Sequence, residues 1–599
     1  MNLRIAALRA AYRAGLTPRR VIEDLDVSGT AVWITLADAL TDADELPRRW
    51  PDPADRPPLY GIPFSVKDNI DVAGLPTTAA CPDFAYRPTV SAPLVDRLRD
   101  AGAILVGKNN LDQFATGLTG TRSPYGTPAN PFDARYIPGG SSSGSAVAVA
   151  TGAVSFSIGT DTAGSGRVPA ALCDVVGLKP SRGLVSTLGI VPACPSLDCP
   201  SVFALSVADA ATVLDVIARY EPADPWSRRL PATATAPVRV GVPTRVEFGG
   251  DGDAARLFDA AVARLKTIGV ALVPVDVEPF LAAGRLLYQA WVAERWTHLS
   301  DFVTAHPHRV HPVTRQVLTA ATGYSAADAF RAMHRLQSLR AETEPVWRDI
   351  DALMVPTVPT TFTVADVEAD PIGRNAFLGY YTQFANLLDL AGIAVPAGFT
   401  PAGLPHGVQF LAPAGHDGAL AALAGAFEAH APVRPDRADP PPPAGTLEAH
   451  APVPLDRADP PPPAGDSDHV LLAVVGAHRT GQPLHPELAA CGAVTVGPIW
   501  TAERYRLFAL QGGRPGLVRV DRGGAAVEVE LHRIPTAGLG ALLVGVPAPL
   551  GLGRVELADG STVVGFLAES YALAGEPDIT GYGSWPAYLD AQANADPAR

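Results

Sequence analysis

Two turns rich in glycine and serine lie between Pro138 and Arg167, a segment that reads PGGSSSGSAVAVATGAVSFSIGTDTAGSGR. Ser141 stands in the first turn and Ser165 in the second. Because glycine leaves its backbone amide unobstructed, amides that converge beside a serine hydroxyl can form an oxyanion hole. The pattern is therefore typical of serine nucleophilic catalysis. A flexible Gly/Ser loop is the alternative, and a phosphate-binding loop is disfavoured because GxxxxGK[ST] is absent.

A lysine upstream of these turns could supply a base. Lys67 ends a strand-like apolar run within Gly61–Ile70, GIPFSVKDNI. In a dry site, desolvation disfavours the ammonium form and lowers the pKa of lysine, which makes the amine a usable base. Taken alone, Lys67 also fits a solvated strand end.

These residues need a rigid frame, and the sequence predicts one. Short apolar runs alternate with helix-forming segments through the N-terminal part, which predicts an α/β fold with a β-sheet covered by helices. The predicted strands are Ile62–Val66, Ile104–Val106, Val154–Ile158, Val238–Val242 and Val270–Val275, and the predicted helices are Leu94–Ala101, Ser145–Ala150, Ala255–Lys266 and Ala326–Arg340. The C-terminal part has β patterns at Val470–Val475, Tyr505–Leu510, Val527–Leu531, Arg554–Leu557 and Thr562–Leu567, which predict a smaller β-rich α+β domain.

A tandem repeat separates the two parts. Glu428–Gly445 reads EAHAPVRPDRADPPPPAG, and Glu448–Gly465 repeats it with only two differences. Runs of proline favour an extended polyproline II conformation. We therefore predict a domain over residues 1–427 that includes an N-terminal helical segment, a semi-rigid linker over 428–468, and a C-terminal domain over 469–599.

Composition and charge exclude several classes of protein. The chain has 599 residues and a formal net charge of −14, with no basic block, which argues against a nucleic-acid partner. Its five cysteines have no metal-ligand or disulfide-framework spacing, so we expect a reducing compartment and no metal. We expect no signal peptide and no membrane span, and hence a cytoplasmic location.

The order of these motifs is similar to that of the amidase signature family. The similarity extends over roughly residues 30–430 and includes GTDTAGSGRVPAALCDVVGLKPSRG at Gly159–Gly183 and GLPHGVQFLAP at Gly403–Pro413. It departs at Ser143, where the family usually has glycine, and we expect this difference to affect packing more than chemistry.

The resemblance implies a mixed sheet covered by helices and a Ser–Ser–Lys triad. Ser165 would be the nucleophile, and Ser141, typically preceded by a cis peptide bond in this family, would link it to a neutral Lys67. The backbone amides of three residues in the second turn would form the oxyanion hole: Thr162, Ala163 and Gly164. No cofactor is implied.

A tyrosine and an arginine could hold a small carboxylate. Within LLYQAWVAERW, Leu286–Trp296, the spacing of Tyr288 and Arg295 places them on one face of a helix, two turns apart. On spacing alone, an amphipathic surface helix with Arg295 paired to Glu294 or to solvent is the alternative.

This segment resembles the allophanate hydrolase branch of the family, as do NLDQFATGLTGTRSPYG (Asn110–Gly126) and NAFLGYYTQFANLLDLAGIAVPAGF (Asn375–Phe399). The resemblance implies that Tyr288 and Arg295 bind the substrate carboxylate, with Gly117 as a further substrate contact. The reaction would convert allophanate to ammonia and N-carboxycarbamate, which decarboxylates, in urea or s-triazine catabolism.

The C-terminal part resembles the extra domain of the longer allophanate hydrolases, whose fold is related to γ-glutamyl cyclotransferases. The similar runs include VLLAVVGAHRTGQPLHPEL (Val470–Leu488) and GVPAPLGLGRVELADGSTVVGFLAE (Gly545–Glu569). Such domains serve decarboxylation or assembly. His478 follows a predicted strand and a glycine, so it is a candidate acid or base, and a structural turn histidine is the alternative.

Two other functions stay open from the sequence. One is a different family member, either a broad amidase or a glutamine amidotransferase subunit. The other is an inactive scaffold of a urea carboxylase assembly. We expect a homodimer, with association with a urea carboxylase as a further partner.

Overall fold

A computed structural model describes residues 1–29, 31–231, 237–431, 469–510, 513–520, 523–536, 538, 539, 542, 550–568, 573 and 576–595. The chain divides into two compact units, Met1–His450 and Ala451–Arg599. Beyond residue 431, the predicted proline-rich linker lies outside the described residues, and its bounds stay a prediction. The last helix before it ends at Ala429.

The first unit is built on one large sheet. In the described part of the chain its strands are β1 (Trp33–Leu36), β2 (Pro63–Lys67), β3 (Ile104–Asn109), β4 (Phe156–Asp161), β5 (Val176–Lys179), β6 (Cys199–Ala204), β7 (Arg239–Pro243), β8 (Ala271–Val275), β9 (Ala352–Pro356), β10 (Leu390–Phe399) and β11 (Pro405–Pro413). They lie side by side in the order β1-β3-β2-β4-β6-β5-β10-β11-β9-β7-β8, with parallel and antiparallel neighbours.

Helices cover this sheet. They are α1 (Ile5–Arg13), α2 (Pro18–Glu23), α3 (Ala39–Arg49), α4 (Pro93–Asp100), α5 (Ser143–Ala150), α6 (Val168–Leu172), α7 (Val207–Ile217), α8 (Gly252–Ile268), α9 (Glu278–Arg285), α10 (Val292–Ala305), α11 (Pro312–Thr319), α12 (Ala326–Thr343), α13 (Val346–Asp349), α14 (Val364–Ala369), α15 (Gly373–Leu378), α16 (Gln383–Leu387) and α17 (Asp417–Ala429). The predicted α/β fold is confirmed.

The central strands carry the chemistry. Every residue of β2, β3 and β4 is buried, because helices cover both faces of this part of the sheet. β2 and β4 are parallel neighbours, with Val66 opposite Ile158. Their carboxyl ends therefore bring Lys67 and Thr160 to the same edge of the sheet.

The second unit is β-rich, as predicted. Its described strands are β12 (His469–Val474), β13 (Val494–Trp500), β14 (Tyr505–Leu510), β15 (Arg514–Arg519), β16 (Glu528–Pro535), β17 (Leu550–Glu556) and β18 (Thr562–Ala568), and its described helices are α18 (His485–Ala490) and α19 (Trp585–Ala595). One sheet has the order β13-β16-β12-β18-β17, and β14 and β15 form a hairpin.

Candidate active site

Lys67 lies at the end of β2 and is completely buried. Its Nζ is 2.8 Å from the Oγ of Ser141 and 2.7 Å from the Oγ1 of Thr160. The alternative in which Lys67 is a solvated strand end is therefore wrong.

The two serines continue this chain of contacts. Ser141 precedes α5, and its Oγ lies at hydrogen-bond distance, 3.0 Å, from the Oγ of Ser165. Both side chains are buried, and the peptide bond between Gly140 and Ser141 is cis. We call the contacts from Lys67 Nζ through Ser141 Oγ to Ser165 Oγ the Lys–Ser–Ser chain. The geometry brings together three residues that are far apart in the sequence.

Burial tunes the amine of Lys67. Desolvation lowers the pKa of Lys67 to about 7, against an opposing effect of the buried carboxylates Asp112, Asp198 and Asp161. The positive charge of Arg295 lowers this pKa further. A large fraction of the lysine is thus uncharged near neutral pH, as a general base requires.

The turn that presents Ser165 is held by a buried ion pair. Asp161 accepts from the amide of Gly166 at 3.0 Å and pairs with Arg167 at 2.9 Å, and both charged side chains are buried. Gly164 has a φ of +129°, and a Cβ there would lie 2.2 Å from the Oγ1 of Thr382. Only glycine fits this position, which explains one of the glycines in the second turn.

The predicted oxyanion-hole residues occupy the same turn. The amide of Gly164 donates to Asp161 Oδ1 at 2.9 Å. An oxyanion would compete with Asp161 for this amide, and the contribution of Gly164 to an oxyanion hole stays a prediction. Thr162 donates through its hydroxyl to Asp198, and the carbonyl oxygen of Ala163 accepts from Thr382 at 2.7 Å. These bonds fix the backbone whose amides face the nucleophile in the predicted scheme.

The segment LLYQAWVAERW is not one helix. A short 3-10 helix ends at Tyr288, and α10 begins at Val292. The prediction that Tyr288 and Arg295 share a face of one continuous helix is wrong, because the chain leaves helical geometry at Gln289, where ψ is −133°.

Arg295 is nevertheless buried, with 5% of its surface exposed. Its guanidinium donates to the Oγ1 of Thr116 at 3.2 Å, whereas Glu294 binds the backbone amide and hydroxyl of Ser196. The surface-helix alternative, in which Arg295 pairs with Glu294 or solvent, is therefore wrong.

Tyr288 and Gly117 are the other two residues predicted to contact the substrate. The half-buried phenol of Tyr288 accepts from Asn375 at 3.0 Å. Gly117 follows Thr116, and a Cβ at Gly117 would lie 2.5 Å from Asp112 Oδ2. The structure thus explains why residue 117 is glycine, and its contact with a substrate stays a prediction.

Three polar residues of this region were not predicted from the sequence. Thr160 binds Lys67, Asp112 accepts from the amides of Gly120 and Arg122, and Asn375 binds Tyr288. Asp112 and Asn375 lie within the runs NLDQF and RNAFL, but no spacing in the sequence separates them from ordinary polar residues.

His478 belongs to a second cluster, in the C-terminal unit. Its Nε2 lies 3.5 Å from Glu487, and its ring stacks on Phe566. His532 is nearby, buried, and 3.4 Å from Glu530. Burial lowers the pKa of both histidines, and the charge of His478 lowers that of His532 further. Both imidazoles are therefore mostly neutral at pH 7.

Family models match most of both units. A model described as Amidase matches residues 22–421, about two thirds of the chain. The chain belongs to the amidase family. A second model, Allophanate hydrolase C-terminal domain, matches residues 470–590, so this amidase carries an additional domain.

Known proteins similar to this amidase are consistent with this pair of family matches. The Kluyveromyces lactis allophanate hydrolase structure has a TM-score of 0.69 and 38% identity, covering 98% of each chain. The urea amidolyase of Lachancea kluyveri is 42% identical over 89% of this chain but only 30% of its own length. The urea amidolyase of Saccharomyces cerevisiae is 41% identical, again over 89% of this chain and 30% of its own. The chain thus spans less than a third of the urea amidolyases it matches.

Among the described residues, no helix is long and apolar enough to cross a membrane. Within the same part of the chain, no group of three or more His, Cys, Asp or Glu side chains is placed to hold a metal ion.

Proposed function

We propose that this amidase hydrolyses the terminal amide of allophanate. The observation that carries the choice of substrate is the buried guanidinium of Arg295, close enough to Lys67 for its charge to act on the amine. A buried cation this close to the base favours a small anionic amide, since Arg295 forms no direct ion pair among the described residues and a neutral amide would not supply one. The similarity to allophanate hydrolase over the whole chain supports the same substrate.

The Lys–Ser–Ser chain supports the following reaction. A neutral Lys67 donates to Thr160 and accepts from Ser141, because amine and hydroxyl can each donate or accept at these distances. Ser165 attacks the terminal carbamoyl carbon while its proton passes through Ser141 to Lys67. Backbone amides of the second turn stabilise the negative oxygen of the tetrahedral intermediate.

Collapse of this intermediate breaks the bond to the terminal nitrogen. The proton held by Lys67 returns through Ser141 to that nitrogen, and ammonia leaves. Water then attacks the ester on Ser165 by the same proton path, which releases N-carboxycarbamate and restores the serine. N-carboxycarbamate loses carbon dioxide, and the resulting carbamate gives a second carbon dioxide and a second ammonia.

Substitution of Arg295 by alanine should change which amide is preferred. We expect kcat/KM for allophanate to fall by about 100-fold or more, because loss of one partner of a buried charge pair costs roughly 2–5 kcal/mol. The loss for a neutral amide such as propionamide should be much smaller. Steady-state ammonia release with both substrates measures this ratio.

Arg285 provides the matched control for this experiment. It ends α9, ten residues before Arg295, and its exposed side chain pairs with Glu278. Arg285→Ala should leave the preference between the two substrates at the wild-type ratio. Equal losses on allophanate and propionamide in Arg295→Ala would reject the carboxylate-binding role.

A direct comparison of substrates separates the candidate functions. An assay of ammonia release with allophanate, malonamate, urea and glutamine tests them together. Allophanate hydrolysis predicts turnover of the two anions and none of urea. A glutamine amidotransferase subunit predicts glutamine turnover, and an inactive scaffold predicts none of the four.

We propose that the C-terminal unit acts on the product, at the cluster of His478, His532 and Glu530. Two mostly neutral imidazoles beside carboxylates could donate or accept a proton during decarboxylation. His478→Ala should slow release of the second ammonia and leave the first within about twofold of wild type. A loss confined to the first ammonia, measured by rapid-quench analysis, would contradict this role.

We propose that this chain associates with a partner enzyme that carboxylates urea. The urea amidolyases are longer chains that contain a region similar to this one, which supports association with a partner that carboxylates urea. The homodimer and the cytoplasmic location stay predictions, as does the choice between urea and s-triazine catabolism.

A further inference from the structure

We propose that Asn375 is a positioning residue that fixes the hydroxyl hydrogen of Tyr288 toward the substrate carboxylate. Asn375 would thereby contribute to the selection of anionic amides without touching the substrate. The inference rests on the proposed function, since it assumes that a carboxylate binds beside Tyr288 and Arg295.

Asn375 lies in α15 and is almost fully buried, with 3% of its surface exposed. Its Oδ1 accepts from the backbone amide of Leu118 at 2.7 Å, and its Nδ2 donates to the phenol oxygen of Tyr288 at 3.0 Å. The side chain therefore bridges the loop that contains Gly117 and the tyrosine predicted to bind substrate.

These two bonds determine the direction of the phenol hydrogen. A backbone N–H can only donate, so the Asn375 atom that faces Leu118 must be the oxygen. The atom that faces Tyr288 is then the amide nitrogen, which has no lone pair to accept a hydrogen bond. The oxygen of Tyr288 must therefore accept, and its own hydrogen points away from Asn375.

The loop that Asn375 binds at Leu118 also contacts Arg295. Arg295 donates to the Oγ1 of Thr116, two residues before the amide that Asn375 accepts from. The phenol and the guanidinium also lie close enough to interact electrostatically. A carboxylate could accept from both groups, whereas a substrate without one would leave the phenol hydrogen unused.

Replacement of Asn375 by aspartate should reverse the hydrogen bond between residue 375 and Tyr288. The carboxylate still accepts from Leu118, but it now also accepts from Tyr288, so the phenol hydrogen turns away from the substrate. A double-mutant cycle with Tyr288→Phe separates this effect from the added negative charge, because the charge acts in both backgrounds and the hydroxyl in only one.

The measurement is the KM for allophanate in wild type, N375D, Y288F and the double variant. N375D raises KM by one factor in the Tyr288 background and by another in the Y288F background. We expect the first factor to be at least tenfold larger than the second, with kcat less affected than KM. Equal factors in the two backgrounds, within threefold, would overturn the proposal, because Asn375 would then act only through the loop.

Thermal melting shows whether N375D is folded. If it is not, the uncharged variant Asn375→Leu takes its place in the same cycle. An increase in KM that is at least threefold larger in the Tyr288 background than in the Y288F background then supports the proposal. Factors that agree within experimental error overturn it. A wild-type enzyme inactive on allophanate but active on another amide would reject the proposed function and this inference together, whereas wild-type turnover with an additive cycle rejects the inference alone.

Discussion

Ser165→Ala should reduce ammonia release from allophanate by at least about a thousandfold, because loss of the nucleophile of a serine hydrolase removes almost all of its rate enhancement. Alanine removes the attacking oxygen and with it the hydrogen-bond partner that Ser141 has at 3.0 Å. The turn itself should keep its shape, since Asp161 and Arg167 hold it through other atoms. Ammonia release and thermal melting of the purified variant measure the two effects.

Ser143, the first residue of α5, provides a matched control. It is a buried serine two residues after Ser141, and in the described part of the structure its Oγ has no hydrogen-bond partner. Ser143→Ala should therefore keep kcat within about threefold of wild type. Turnover by a folded Ser165→Ala variant at a tenth of the wild-type rate or more would remove Ser165 as the nucleophile.

Lys67→Met should also reduce kcat/KM by about a thousandfold or more, because methionine keeps much of the apolar length of the side chain but has no group that can take the proton of Ser165. Ser141 and Thr160 would each lose a partner. We expect some loss of stability as well, of roughly 1–3 kcal/mol, from hydroxyls left unpaired in a buried site. Single-turnover kinetics and chemical denaturation separate the two effects.

Lys67→Arg tests whether the base, rather than the positive charge or the hydrogen bonds, is required. A guanidinium can donate to both hydroxyls, but it does not deprotonate in proteins. This variant should be as inactive as Lys67→Met at every pH. Activity of a folded arginine variant above about a tenth of wild type would show that Lys67 acts only as a structural or electrostatic group.

Much of the frame could be predicted from local sequence patterns. The apolar run before Lys67 and the run before Asp161 become the buried strands β2 and β4, because helices cover both faces of the sheet there. The two Gly/Ser-rich turns could be assigned to chemistry because glycine leaves backbone amides unobstructed beside the serine hydroxyls. The structure adds that residue 164 has no room for a side chain. The order of these motifs then indicates the amidase family.

The remaining contacts depend on tertiary structure. Asn375 meets Leu118 across more than 250 residues of chain, and nothing near Asn375 in the sequence indicates that contact. Thr160 faces Lys67 only because β2 and β4 are adjacent and parallel. The helical spacing of Tyr288 and Arg295 is misleading, since a break at Gln289 separates the two and Arg295 is buried by packing against a distant loop.

The dependence of kcat/KM on pH tests the central claim, that a buried and largely uncharged Lys67 is the base. Protonation of the free enzyme's lysine removes the base, so kcat/KM for allophanate should be constant well above pH 7 and fall about tenfold per pH unit well below it. The midpoint of this fall should lie near the pKa of about 7 that burial gives Lys67. A profile that stays flat down to about pH 5 would contradict the account, because a base of this pKa would be almost fully protonated there.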